Sequence, residues 1–117
     1  MISEFENIIF PIIIKDGNDL DVIYKLKDFQ MDPDLYFHEY DSHMELIDSN
    51  GQVYSWNYDY NNKTNIPGIL KRKITLDELQ EIVIYYFKDS KNKRDLEKLV
   101  YDSKSIKEVI TQVADKF

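Results

Sequence analysis

The sequence predicts an α+β domain in which an antiparallel sheet of about four strands is covered on one face by helices. Three observations predict this fold. They are a β-branched run at residues 8–14, an Asn-Gly turn between two alternating segments at residues 44–60, and two capping boxes that open amphipathic segments after residue 74. A chain of 117 residues is close to the commonest domain size. We therefore expect a single domain that spans residues 1–117.

The first strand is predicted at residues 8–14, where every residue except Pro11 is isoleucine or phenylalanine. Such a run is typical of a strand that is buried on both faces, and the proline predicts an edge, a bulge or a break. A turn at residues 16–18 follows. Leu20, Ile23 and Tyr24 then fall at helical spacing, which predicts a short helix over residues 18–27. Alternation of apolar residues at 22, 24 and 26 would suit a strand instead.

A second strand is predicted at residues 35–40, because Pro33 pushes the preceding backbone out of the helical region. Residues 44–48 and 52–60 flank Ser49-Asn50-Gly51 and form a hairpin, for which the Asn-Gly pair favours a type I′ turn. Residues 57–68 are interpreted as a long irregular connection. One more short strand is predicted at residues 69–74, with the cations at 71–73 protecting an edge of the sheet.

Two helices are predicted by capping boxes, in which a hydroxyl and a carboxylate three residues apart satisfy free amides. Thr75 and Glu78 open the first helix, which carries an apolar stripe of Leu76, Leu79, Ile82, Val83 and Tyr86. Ser105 and Glu108 open the second. The apolar residues at 96, 99 and 100 predict a short amphipathic helix between them.

Charge is distributed unevenly along the chain. Residues 1–62 contain thirteen carboxylates and three lysines, whereas residues 63–117 contain twelve cations and nine carboxylates, and the formal net charge of the whole chain is −7. A one-signed surface attracts basic partners and repels polyphosphates. We therefore expect a basic protein partner and no nucleic acid, although Lys71, Arg72 and Lys73 could contact phosphate and the aromatic residues nearby could stack on bases.

Several classes of site and location are excluded or disfavoured by composition. The absence of cysteine excludes disulfides, thiolate metal sites and thiol nucleophiles. The longest apolar run is far too short to cross a membrane, and the acidic start lacks the basic region of a signal peptide. No glycine-rich phosphate loop occurs. We expect a cytoplasmic protein that needs no cofactor and does not bind a membrane.

The order of these elements resembles a known group of proteins. A strand such as Ile12-Ile13-Ile14, a short helix, an acidic segment leading to Tyr40-Asp41, and a compact hairpin at residues 48–54 resemble small bacterial immunity proteins, which neutralise contact-dependent or polymorphic toxins. The resemblance covers about the first two thirds of the chain. The cations at 71–73 and the helical last third depart from it. It implies a small, acidic, non-catalytic protein that binds a secreted nuclease or another toxin domain tightly.

The predicted partner-binding residues combine carboxylates for docking with aromatic anchors, because binding energy concentrates in a few aromatic or charged residues. The carboxylates are Asp32, Asp34, Glu39, Asp41, Glu45, Asp48 and Asp59. The aromatic residues are Tyr54, Trp56, Tyr58 and Tyr60. For the 54–58 face we favour core packing against the first capped helix over partner binding, and we expect Tyr58, Asp59 and Tyr60 to be exposed.

Three alternatives stay open. His38 and His43 lie beside carboxylates and could hold zinc or iron, although strand alternation separates these side chains and we expect no metal. Closely spaced acids such as Asp19 and Asp21 could serve acid–base catalysis, but their polar, turn-rich surroundings favour hydrated carboxylates, so we expect no enzymatic activity. An interaction module that forms a homo-oligomer through a sheet edge is the alternative function. We expect a monomer or a weak homodimer.

Overall fold

The computed structural model describes residues 8–17, 19–31 and 44–116. Their strands are β1 (Ile12–Asp16), β2 (Asp19–Ile23), β3 (Met44–Ile47), β4 (Gln52–Asp59) and β5 (Thr64–Lys73), and their helices are α1 (Leu26–Gln30), α2 (Leu76–Tyr86), α3 (Lys93–Asp102) and α4 (Ile106–Val113), followed by a 3₁₀ turn (Ala114–Lys116). The strands form one sheet in the order β2-β1-β3-β4-β5, and all neighbours are antiparallel. The α+β class is confirmed, with five strands where about four were expected.

The segment after β1 is a strand, so the predicted helix over residues 18–27 is wrong. β1 and β2 form a tight hairpin in which Lys15 lies opposite Leu20, and Gly17 adopts a φ of +61° in the turn. Leu20 packs into the core on the helix-covered face of the sheet. Pairing with β1 therefore overrides the helical spacing of the apolar residues. Helix α1 begins only at residue 26.

The strand predicted around residues 8–14 begins at Ile12, directly after Pro11. Because the proline lies outside the strand, its lack of an N–H group removes no hydrogen bond from the sheet. Because β1 lies between β2 and β3, Ile12, Ile13 and Ile14 are all buried, as predicted for a strand that is covered on both faces. The strand predicted at residues 35–40 lies outside the described residues.

The β3–β4 hairpin is confirmed, but its turn is not type I′. The amide of Gly51 donates to the carbonyl of Asp48 at 3.0 Å, and of the Asn50-Gly51 pair only the glycine has a positive φ, at +83°. This geometry is a three-residue loop, a type I turn followed by a left-handed residue. A Cβ at position 51 would lie 2.7 Å from the carbonyl oxygen of Ile74, so the position needs glycine for space as well as for conformation.

Strands β4 and β5 form a longer hairpin than the sequence predicted. The expected irregular connection at residues 57–68 is replaced by paired strands and a short turn in which Lys63 has a φ of +56°. The ladder contains a bulge near Gly68, where the amide of Ile69 donates to Ser55 Oγ at 2.8 Å. β5 is an edge strand of the sheet, as predicted for the segment that carries the three cations.

Helices cover both faces of the sheet. α2, α3 and α4 pack on one face against Ile13, Ile47 and Val53. On the other face Phe29 of α1 packs with the second core, which contains Ile8, Ile12, Ile14, Ile23, Met44, Leu46 and Tyr54. The expectation of helices on one face thus holds for α2–α4 and is wrong for α1. None of the described helices has the length and apolarity that crossing a bilayer requires.

Both predicted helix starts are confirmed. Thr75 Oγ1 accepts from the amide of Glu78 at 3.2 Å, and Ser105 Oγ accepts from the amide of Glu108 at 3.1 Å. The carboxylate of Glu108 accepts from the amide of Lys104. The carboxylate of Glu78 instead meets Arg72 of β5, which ties the start of α2 to the edge of the sheet.

Candidate functional site

Part of the predicted binding surface lies outside the described residues. Asp32, Asp34, Glu39 and Asp41 belong to this part, as do His38 and His43. Among the residues that the structure does describe, no group of three or more His, Cys, Asp or Glu side chains could hold a metal ion.

Asp48 is buried and organises the β3–β4 turn. Its carboxylate accepts from the amides of Asn50 and Gln52, both at 2.9 Å, and from the amide of Ile9 at 3.3 Å. Next to it, Ser49 Oγ donates to the carbonyl of Pro11 at 2.6 Å. The carboxylate therefore closes the turn and holds the segment before β1 against it, which is a structural role for an acid predicted at the partner surface.

Glu45 is neutralised within the chain. Its side chain is only 12% exposed, and its carboxylate lies 2.9 Å from Lys71 Nζ and 3.9 Å from Arg72 Nη2. Arg72 also lies 3.4 Å from the carboxylate of Glu78. Two of the three cations predicted to guard the β5 edge are thus occupied by carboxylates of β3 and α2.

Tyr54 and Trp56 are the residues of the aromatic face of β4 whose side chains the structure describes, and they pack on the α1 side of the sheet and not against the capped helix α2. Tyr54 is 8% exposed and its hydroxyl donates to Gln52 Oε1 at 3.0 Å. Burial, with a smaller contribution from the charge of Asp48, raises the pKa of Tyr54. Trp56 packs beside it, and its Nε1 donates to Asn65 Oδ1 at 3.0 Å. Both side chains contribute to the core.

The tip of the β4–β5 hairpin is the exposed part of the predicted surface. The side chain of Tyr60 is 57% exposed. The Asp59 carboxylate accepts from Asn62 Nδ2 at 2.7 Å and from the amides of Asn61 and Asn62, and these hydrogen bonds, led by that from the Asn62 side chain, lower the pKa of Asp59. Asp59 therefore shapes the turn that presents Tyr60.

A groove that the sequence analysis missed lies between the β2 end of the sheet and helix α2. Its volume is about 310 Å³, and it is lined by Lys15, Leu20, Glu78, Glu81, Ile82 and Tyr85. The groove combines two aliphatic side chains, one aromatic ring, two carboxylates and one ammonium group. Its volume lies at the lower end of the range that is typical of ligand-binding clefts.

Tyr85 forms the aromatic part of this groove. Its side chain is 51% exposed, and Lys88 Nζ lies 4.0 Å from the ring centroid. A side-chain hydrogen bond with Tyr85 is the largest cause of the raised pKa of Lys88. The ring therefore already accommodates a cation over one face.

Sequence spacing contained a signal for the groove. Residues three and four apart on a helix are neighbours, so Glu78, Glu81, Ile82 and Tyr85 share one strip of α2. The strip flanks the apolar stripe that packs on the sheet. The helical spacing could not place Leu20 beside this strip, because the segment that contains Leu20 was predicted as a helix and not as strand β2.

Comparison of this chain with protein-family models, with curated proteins and with solved structures finds no match.

Proposed function

We propose that this chain is a non-catalytic cytoplasmic protein that captures and neutralises a basic protein, in the manner of an immunity protein that inhibits a toxin domain. The groove between β2 and α2 is the observation that carries the proposal. It offers an apolar floor and an aromatic wall beside the carboxylate of Glu81, whereas the Glu78 carboxylate is already paired with Arg72. The exposed acids Asp19 and Asp21 of β2 lie on the adjoining strand.

The mixed lining of the groove suits the side chain of a lysine or an arginine from the partner. The methylene stem of such a side chain packs on aliphatic groups while its charged end stays near carboxylates. Leu20 and Ile82 supply the aliphatic surface, and Glu81 supplies a carboxylate. Tyr85 can stack on the cation, since its ring already lies beside the ammonium group of Lys88.

Long-range attraction supports the same partner. The chain has a formal net charge of −7, and thirteen of its carboxylates lie in residues 1–62. Opposed potentials accelerate encounter, whereas a few buried anchors hold the complex. Glu45 and Asp48 are used inside the fold, so the proposal rests on the groove, on β2 and on the exposed hairpin tip.

The test is an inhibition and pull-down assay with the product of the neighbouring gene as the candidate toxin. Tyr85→Ala removes the aromatic wall, and we expect it to weaken binding about 30-fold, which corresponds to about 2 kcal/mol. Glu81→Lys reverses a groove charge and is expected to slow association. Tyr101→Ala and Asp102→Lys are the matched controls, because both residues are exposed on α3 away from the groove.

The two controls should bind within about threefold of the unmodified chain. The proposal is abandoned if the toxin keeps its activity in the presence of an equimolar amount of this protein. Equal binding by the Tyr85→Ala and Tyr101→Ala variants would remove the groove as the site while leaving inhibition itself in place.

A further inference from the structure

The outer edge of β5 exposes two consecutive aliphatic side chains. Ile69 is 78% exposed and Leu70 is 51% exposed, and in the part of the chain that the structure describes β5 pairs only with β4. Natural sheets normally protect such edges with charges or bulges. A strand that pairs with this edge would contact successive residues along it.

The protection of this edge is weaker than the sequence suggested. Lys71 and Arg72 are drawn to the carboxylates of Glu45 and Glu78. Within the described residues Lys73 has no ion-pair partner and stays exposed. The last five residues of the ten-residue β5 are therefore an exposed strip with two aliphatic side chains, and Lys73 is its one cation without an ion pair among the described residues.

The opposite edge of the same sheet has the complementary character. β2 is five residues long, and Asp19 and Asp21 on it are exposed. The amide of Val22 donates to Asp21 Oδ1 at 2.9 Å, which holds this carboxylate against the backbone of β2. Among the described residues β2 pairs only with β1.

We propose that the β5 edge of one copy binds the β2 edge of a second copy, so that the sheet continues from molecule to molecule. The charges are complementary, since the exposed Asp19 and Asp21 of β2 would meet Lys73 on the last five residues of β5. Pairing of two β5 edges would instead bring two sets of cations together, which is unfavourable. This inference goes beyond the proposed function and does not depend on a toxin partner.

The geometry of the sheet allows this contact. β2 and β5 run in the same direction, because four antiparallel steps separate them in the sheet. For β2 of the next copy to pair antiparallel with β5, that copy must be rotated by a half turn about the axis that lies in the sheet and is perpendicular to the strands. This rotation exchanges the two faces, so the layer of α2–α4 alternates between sides and does not collide with the same layer of its neighbour.

The contact is heterologous, because different edges meet, and it does not close at two copies. Repulsion between molecules of net charge −7 opposes it. We therefore expect weak association that becomes measurable between about 0.1 and 1 mM protein. The measurement is sedimentation equilibrium of the chain alone, with mass expected to rise with concentration beyond that of a dimer.

Charge reversal provides the decisive variants. Asp21→Lys and Lys73→Asp should each weaken association at least tenfold, which is about 1.4 kcal/mol. An equimolar mixture of the two variants should associate again, because each altered edge then finds a complementary one. Rescue in a mixture is an effect that misfolding of either variant would not produce.

Ile69→Lys should also abolish association, whereas Tyr101→Lys, at a residue that is 60% exposed on α3, should not. A constant monomer mass up to about 1 mM overturns the proposal. A mass that levels off at two copies, association that survives Ile69→Lys, or a mixture of the charge variants that stays monomeric overturns it as well.

Discussion

Replacement of Asn65 by alanine tests how α1 is held on the back of the sheet. Asn65 lies in β5 and is fully buried. Its Nδ2 donates to the carbonyl of Phe29 at 2.9 Å and to that of Gln30 at 3.3 Å, while its Oδ1 accepts from Trp56 Nε1 at 3.0 Å. One amide side chain thus satisfies carbonyls at the end of α1 and the indole of β4.

The expected cost of Asn65→Ala follows from the groups that lose their partner. A buried hydrogen bond contributes about 1 kcal/mol to stability. The substitution removes the three hydrogen bonds of the Asn65 side chain, so we expect a loss of about 3 kcal/mol in the free energy of unfolding. With a urea m-value near 2 kcal/mol/M, the unfolding midpoint should fall by about 1.5 M.

Urea unfolding followed by the fluorescence of Trp56 measures this loss directly, because the chain has a single tryptophan. Asn92→Ala is the control, since Asn92 is exposed at the start of α3 and its side chain makes no capping hydrogen bond. The control should stay within about 0.5 kcal/mol. A loss below about 1 kcal/mol for Asn65→Ala, with unchanged Trp56 emission, would refute the idea that Asn65 holds α1.

Two further predictions concern turns. Gly51→Ala should destabilise the protein by about 2 kcal/mol or more, because the residue has a φ of +83° and the added Cβ would lie 2.7 Å from the Ile74 carbonyl oxygen. Gly17→Ala, where no atom lies near the added Cβ, should cost about 1 kcal/mol. Thermal or urea unfolding measures both costs. Equal costs would contradict this explanation. The pKa of Asp59 is lowered from its ordinary 3.8, chiefly by hydrogen bonds from Asn62, so its stabilising contribution is present above pH 3.8 and is lost as the pH falls through the lower value of the folded state. The stability difference between the unmodified chain and Asp59→Asn should therefore shrink on acidification below pH 3.8, and a difference that stays constant in acid would count against it.

Features governed by neighbouring residues were predictable from the sequence. Both capping boxes open helices because a hydroxyl at Thr75 or Ser105 reaches an amide three residues later in any surroundings. The hairpin at residues 44–60 also follows from local alternation and a glycine turn. The turn type did not follow, because Asp48 closes the loop through hydrogen bonds of its side chain, which the Asn-Gly pair alone does not encode.

Features that depend on distant partners were not predictable. Residues 19–23 carry apolar groups that fit a helix or a strand, and only the presence of β1 beside them decides for the strand. The side of the sheet that α1 covers is likewise decided by the burial of Phe29 with residues of β1, β3 and β4. Because the groove contains one residue of β2 and a strip of α2, an error in β2 concealed the site as well.

The carboxylates of the acidic first half of the chain have different roles in the structure. Glu45 is neutralised by Lys71 and Arg72 from the basic half of the chain, and Asp48 closes a turn, so neither adds a free charge to the surface. Asp19 and Asp21 remain exposed on one edge of the sheet. The number of acids in the sequence therefore overstates the acidic surface. Any binding of a partner through charge depends on the carboxylates that the fold does not already use in ion pairs or turns. The basic partner that we propose would therefore gain more at the β2 end of the sheet than at the β3–β4 hairpin.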